Sequence, residues 1–533
     1  MDSQNTKKIG LFHLVMLTLG SLIGSGWLFG SWEASRVAGP ASIISWIIGG
    51  LVIAMIAYNY VELGSMFPET GGMSRYAQYS HGPMLGFIAS WANWVSLITL
   101  IPIEAVAAVQ YMSSWPWSWA NWTNSFLANG MITTRGLLIV FLFMLVFTLL
   151  NFWSVTLLAR FSSLISLFKV VIPSLTVIML LSTSFHPGNY GQTWQEFMPY
   201  GSAPIFTATA TAGIIFSFNA FQTVINMGSE IKNTRKNISR GIFISLLISG
   251  VIYVLLQSSF ITAMSPQTLA AHGWNGINFN SPFADLAIML GIRWLSVLLY
   301  LDAFVSPVGT GVSFAASTGR VLYAMERNKH VPHFLGLIDS TYGTPRVSML
   351  VDLVLSMLMV SIFRSWSTLA AVICTATLIA YLTGPVTAVS FRKMGANFTR
   401  PVRLKNLKWI APFSFILASL AIYWAMWPTT IEVILVILLG LPIYFYYEYK
   451  LGFKETKEAL RSSLWLIVYL IFLAVMSYIG SKEFNGTGLI TYPWDFVVII
   501  AAALLFYFWG LKSAHIFSDF YLAQKLNNKV KNK

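Results

Sequence analysis

Three ionisable side chains stand in stretches that are otherwise almost wholly apolar: Glu104 in Leu100-Ile101-Pro102-Ile103-Glu104-Ala105-Val106, Lys169 in Leu167-Phe168-Lys169-Val170-Val171, and Asp302 in Tyr300-Leu301-Asp302-Ala303-Phe304. A charge at the centre of a hydrocarbon layer costs at least about 2.5–3.5 kcal/mol on insertion scales, so groups kept there are expected to pair, to carry protons or to meet a charged ligand. A buried lysine can gain and lose a proton; the competing reading of Lys169 is a permanently charged strut. Asp302, just before the kink-prone Ser306-Pro307, could pair with Lys169, relay a proton or contact a cationic substrate. Glu104 follows Pro102 near the outer half of its stretch, where partial solvation is the plainer reading. Spacing alone does not show which acid Lys169 faces.

The backbone offers a second kind of chemistry. Gly20-Ser21-Leu22-Ile23-Gly24-Ser25-Gly26 places three glycines in seven residues, and each costs about 1 kcal/mol relative to alanine inside a helix. Unwound backbone at membrane depth is tolerated only where it lines a cavity or is buried in protein. Unwinding here would free N–H groups at the start of one half-helix and carbonyls at the end of the other. The first suit a carboxylate and the second an ammonium, so one break fits both ends of a zwitterion. The alternative is a small-residue face for close helix packing. A second polar interruption, Ile215-Phe216-Ser217-Phe218-Asn219-Ala220-Phe221-Gln222, carries Asn219 and Gln222 at mid-segment. These two side chains either read a ligand or make interhelical hydrogen bonds.

The elements that hold these groups follow from composition. Of 533 residues, 56% are hydrophobic and 10% charged, against roughly 25% charged in soluble domains. There is too little polar material to cover soluble domains of this total length. An ordinary cytoplasmic enzyme, a nucleic-acid binder and a disordered scaffold are excluded. A membrane-crossing helix needs about 20 mostly apolar residues, which predicts fourteen spans near 11–35, 41–66, 84–112, 135–153, 156–182, 205–229, 239–263, 293–318, 347–363, 368–391, 409–427, 431–449, 463–481 and 494–512. With the N-terminus inside, 27 of the Lys and Arg residues fall on cytoplasmic segments and five (Arg36, Arg135, Arg293, Arg364 and Lys482) outside. That imbalance predicts cytoplasmic N- and C-termini. The net charge of +14 then reflects loops facing anionic lipids. Glu62 and Asp352, near span ends, are expected at the interface, and the basic tail from Lys525 onward is expected to be solvated.

The two irregular helices are the first and the sixth, five positions apart, the plan of an inverted-repeat secondary transporter. Here the chain resembles the amino acid–polyamine–organocation (APC) family of amino acid permeases. Gly-Ser-Leu-Ile-Gly-Ser-Gly with Ala38-Gly39-Pro40 resembles that family's first-helix signature, and Phe67-Pro68-Glu69-Thr70-Gly71-Gly72 its second loop. Gly228-Ser229-Glu230-Ile231-Lys232-Asn233 with Arg240 resembles the segment after its sixth helix. Arg320-Val321-Leu322-Tyr323-Ala324-Met325, with Val331-Pro332 and Thr344-Pro345, resembles the loop after its eighth. The overall texture resembles the bacterial aspartate–proton symporter group within the family. Where the family usually has glycine at the sixth-helix break, this chain has Ala220.

The resemblance implies an all-α polytopic membrane protein with a LeuT-type 5+5 inverted repeat and discontinuous helices 1 and 6. Residues 1–10 are then a cytoplasmic N-terminus, 11–182 and 205–391 the two repeats, 392–512 four further helices and 513–533 a basic cytoplasmic tail. It further implies that the backbone N–H groups of Ser25 and Gly26, beside Gly24, bind a substrate carboxylate. Carbonyls near Ile23, Phe216 and Phe218, flanking Ser217, would face its ammonium. Lys169 stands where relatives often place a lysine in lieu of a sodium ion, which with Asp302 and Glu104 would couple protons to transport. Glu230 and Arg320 would form a cytoplasmic gate pair. The implied function is secondary active uptake of an amino acid, acidic ones preferred, with H+ at the plasma membrane; an exchanger or a transporter-like sensor are the alternatives. An enzyme is not expected, since no nucleophile, metal-ligand or P-loop pattern occurs. Cofactors, nucleotides and nucleic acid are not expected as partners.

Overall fold

The computed structural model describes residues 9–69, 72–153, 155–228, 231–339, 343–453 and 455–531. The described chain is nearly all helix, with one two-stranded hairpin at Leu127–Ala128 and Met131–Ile132. Where no water can satisfy N–H and C=O groups, an apolar segment of this length closes its bonds internally. Among the described residues, ten helices are long and apolar enough to cross a membrane, eleven when one bent pair counts as a span; Leu11–Leu22 and Leu407–Tyr423 are shorter apolar helices. Helices occupy all fourteen predicted segments. Gly26–Met66 runs on from the first span into the second through a short turn at Gly39–Ala41.

Burial sorts these helices into two kinds. Leu138, Leu142 and Leu145 on the fourth, Leu247, Val251 and Leu255 on the seventh, and Leu350, Val354 and Leu358 on the ninth are exposed. Their spacing of three or four residues makes each set one helix face. In water such stripes would be sticky patches; against acyl chains they are the solvated surface. The third and tenth spans, Pro83–Met112 and Trp366–Met394, are instead buried throughout their most apolar stretch, and they form the centre of the bundle.

At the end of the bundle that carries the termini, Ile9 pairs with Ile231, tying the start of the first span to the segment after the sixth. Glu62, near a span end, is buried within the protein. It accepts from Arg392 Nε at 2.8 Å and from the Leu404 N–H at 3.0 Å, and Arg400 lies 3.5 Å away. Arg392 comes from the last turn of the tenth span, and the loop after it folds back to supply Arg400 and the Leu404 amide. Asp352 is likewise buried, accepting from Trp94 Nε1 at 2.9 Å.

The C-terminal segment also differs from the expected solvated tail. Ser518–Lys531 is a helix, and its Phe520, Ala523 and Asn527 are buried on one face. Asn527 donates to Thr399 O at 2.8 Å and accepts from Thr399 N at 2.6 Å, while Gln78 donates to Asp519 at 2.7 Å. The Phe520 ring stacks on Phe398, centroids 5.3 Å apart. An apolar face at helical spacing needs a partner, and the helix Met73–His81, the end of the second span, and the end of the tenth span with the loop after it supply it. Phe520→Ala is therefore expected to lower stability by about 3 kcal/mol, read as a fall in Tm of the purified protein, whereas Lys525→Ala on the exposed side leaves Tm unchanged.

Candidate functional site

The first span stops being helical at Ile23 (φ −87°, ψ 82°) and resumes at Gly26. Between them Gly24 N–H reaches only Leu22 O, at 3.1 Å. The glycines are needed because other groups press into the gap. A Cβ at Gly24 would lie 2.5 Å from Glu104 Oε1, and one at Gly26 would lie 2.2 Å from Ser217 Oγ. Glu104 itself fills the mouth of the outer half-helix: the Ser25 N–H donates to its Oε2 at 2.9 Å. A carboxylate thus already occupies the position where the helix dipole favours negative charge. The Ser25 hydroxyl accepts from Trp366 Nε1 at 3.0 Å, and Tyr253 OH donates to Leu22 O at 2.9 Å and to Ser217 O at 3.3 Å.

Lys169 lies against the inner half of the same break. Its Nζ donates to Gly20 O at 2.8 Å and to Thr310 Oγ1 at 2.5 Å. Glu104 and Asp302 are the acids whose charges act on it, with neither in ion-pair contact among the described residues. All three are fully buried. Asp302 accepts from Ser306 Oγ at 2.8 Å, and Thr310 donates to Ser306 O at 3.0 Å. One oxygen of each acid, Glu104 Oε1 and Asp302 Oδ2, is buried with no hydrogen-bond partner. Two carboxylates and one ammonium meet there, so a single added proton makes the set neutral.

The sixth span is broken, but its sharp bend is not at Asn219. Ala203–Thr211 and Ile214–Asn226 meet at 53°, with Gly213 left-handed at φ +76° and its Cβ position 2.3 Å from the Trp366 ring. Through Asn219 and Ala220 the backbone stays right-handed, held by i→i+3 bonds such as Asn219 N to Phe216 O at 3.1 Å. Alanine without a left-handed turn is consistent with that milder kink.

Asn219 is engaged by the tenth span: its Nδ2 donates to Thr377 Oγ1 at 2.9 Å, and Tyr381 OH donates to its side-chain oxygen. Gln222 is buried with neither polar atom partnered. The Phe216 ring stands edge-on to Trp366, centroids 6.1 Å apart, and Phe218 packs on Tyr253. Glu230 lies outside the described residues, and Arg320 is exposed in the long eighth-span helix Arg293–Arg327. The sequence reading missed Tyr253, Thr310, Trp366 and Tyr381. Thr310 had a signal: Asp302, Ser306 and Thr310 recur every four residues, a polar stripe on an apolar helix. Trp366, at a span end, reads as an interfacial anchor, and nothing in its sequence context points inward.

At the end opposite the termini, Asp285 in Pro282–Met289 accepts from the Ser281 N–H at 2.9 Å. Burial raises its carboxyl from an ordinary 3.8 to about 6, against the pull of the Ser281 and Asn280 amides. The folded chain therefore takes up this proton at higher pH than the unfolded one. Stability gained by protonation appears as pH falls through 6 and is complete below about 4. Measured from pH 7 to 5, Tm of the wild type is expected to rise relative to that of Asp285→Asn.

Buried charges around a broken helix, in a bundle whose outer faces are apolar, define a membrane carrier. The chain belongs to the amino acid permease family: that family's model matches residues 9–447. It is 49% identical to the glutamate/serine transporter AimA of Bacillus subtilis (strain 168), over 99% of this chain and 98% of the relative. It is 34% identical to the aspartate-proton symporter of the same organism, over 96% and 98%, and 25% identical to its branched-chain amino acid permease BcaP, over 83% and 93%. The protein is an amino acid transporter and not an enzyme, as the sequence resemblance implies.

Proposed function

We propose that the protein imports an acidic amino acid together with protons across the plasma membrane, with both termini in the cytoplasm. The observation that carries this reading is Glu104 seated on the Ser25 N–H, with Lys169 and Asp302 buried in the same charged cluster. A substrate carboxylate that seeks the same N–H must displace Glu104. A proton taken up by Glu104 weakens its hold on that amide and clears the position. Proton arrival and substrate arrival then favour one another, which is the coupling a symporter needs. Lys169, bonded to Gly20 O and Thr310, links the event to the first and eighth spans.

The substrate class rests on the two relatives with the highest identities above, named for glutamate/serine and for aspartate. Gln222, buried with unpartnered amide atoms, is the side chain best placed to meet a substrate's own carboxylate. The fall of most basic residues on the termini side supports cytoplasmic termini, and the two broken spans support an inverted-repeat plan. A thermal-shift screen of the purified protein against the twenty amino acids tests the substrate class. Glutamate and aspartate are expected to raise Tm in proportion to log concentration above their affinity. A shift with neutral or cationic amino acids alone would contradict it.

A further inference from the structure

A cavity of about 390 Å³ lies at the end of the bundle opposite the termini, with Trp366 in its lining. That ring also donates to Ser25 Oγ in the broken first span, so it stands between the cavity and the buried charges. The lining includes Glu33 and Arg36 from the outer half of the first span, Gln110 from the third, and Asn278 from the loop after the seventh. The volume falls within the range of small-molecule sites.

Its two charges are only loosely engaged. Arg36 Nη1 and Glu33 Oε2 are 3.6 Å apart, too long for a good hydrogen bond. The guanidinium rests 4.9 Å over the Trp32 ring, and Arg36 Nε is buried without a partner. Trp32 in turn donates to Ile277 O at 3.0 Å, which anchors the loop carrying Asn278. A planar guanidinium with free donors matches a carboxylate. A carboxylate beside an ammonium group completes the opposite match. A zwitterion inserted between Glu33 and Arg36 leaves every charge with a counter-charge, so no net charge is stranded.

We propose that this cavity is an outer binding site for an α-amino acid, its carboxylate on Arg36 and its ammonium on Glu33, separated by Trp366 from the site at Ser25. The second carboxylate of an acidic amino acid faces the amides of Gln110 and Asn278. The assignment rests on the reading of the protein as an acidic amino acid importer, and it adds a place where substrate waits before the first span receives it.

The test uses the full chain in nanodiscs with L-glutamate as probe. The single native cysteine, Cys374, is buried, so Ser367→Cys, at a partly exposed lining position given no contact with the ligand, provides one thiol in the cavity. Its labelling rate by a charged thiol reagent is measured with and without glutamate in a Gly26→Val background, where the inner site is blocked. Glutamate is expected to slow labelling several-fold there, and Arg36→Gln is expected to abolish the protection. Arg36→Lys, which keeps the charge but not the fork, should retain part of it. Protection seen only when Gly26 is intact, or unchanged by Arg36→Gln, overturns the outer site while the transport reading stands. No protection in any background, together with no glutamate uptake by the otherwise native chain, overturns both.

Discussion

Lys169→Ala is expected to abolish proton-driven accumulation of substrate in proteoliposomes, a fall of at least about 100-fold in the accumulated gradient. The substitution removes the donor to Gly20 O and Thr310 Oγ1 and leaves Glu104 and Asp302 with no cation between them. Stripping one partner from a buried charge set costs about 3–5 kcal/mol, and each tenfold change is about 1.4 kcal/mol, so a loss of that size is within reach of this one contact. The acids can escape the cost by each keeping a proton, which would hold Glu104 off the Ser25 amide throughout the cycle. Binding should then survive in part while coupling is lost. Parallel measurement of uptake under an inward proton gradient and of glutamate-induced thermal shift separates the two. Unchanged accumulation contradicts the role of Lys169.

Gly26→Val is expected to remove substrate binding at the break. Its Cβ would fall 2.2 Å from Ser217 Oγ and 3.3 Å from the Phe216 ring, and Ser217 cannot swing freely because its hydroxyl donates to Gly213 O at 2.8 Å. A packed interior absorbs such an overlap only by shifting backbone, and the backbone in question is what presents the amides. Gly26→Ala should be milder, and Ser217→Ala should partly rescue it, because the side chain it truncates is the one the new methyl meets. Glutamate thermal shift on these variants and on the parent, all in an Arg36→Gln background that removes the outer site, checks the order. Wild-type affinity in Gly26→Val contradicts the pocket.

The charged groups were legible because an acid or lysine in an apolar run has few reasons to be there. Their meeting was not, since Glu104, Lys169 and Asp302 come from the third, fifth and eighth spans, and only packing brings those together. The first break was legible for the same local reason that it exists: glycine spacing. The sixth was misplaced toward Asn219 because polar side chains looked like the interruption. The bend is instead set at Gly213, where the tenth span's Trp366 leaves no room for a side chain. Lysines made the C-terminal segment look like a solvated tail, while Phe520, Ala523 and Asn527 already carried the helical spacing of a docked face.

Coupling is tested most directly by adding L-glutamate to proteoliposomes that hold the native chain and a luminal pH dye, with no ion gradient imposed. If Glu104 must take a proton before substrate gains the Ser25 amide, each inward glutamate brings protons and the lumen acidifies as uptake proceeds. Glutamate entry with the luminal pH unmoved would contradict the account.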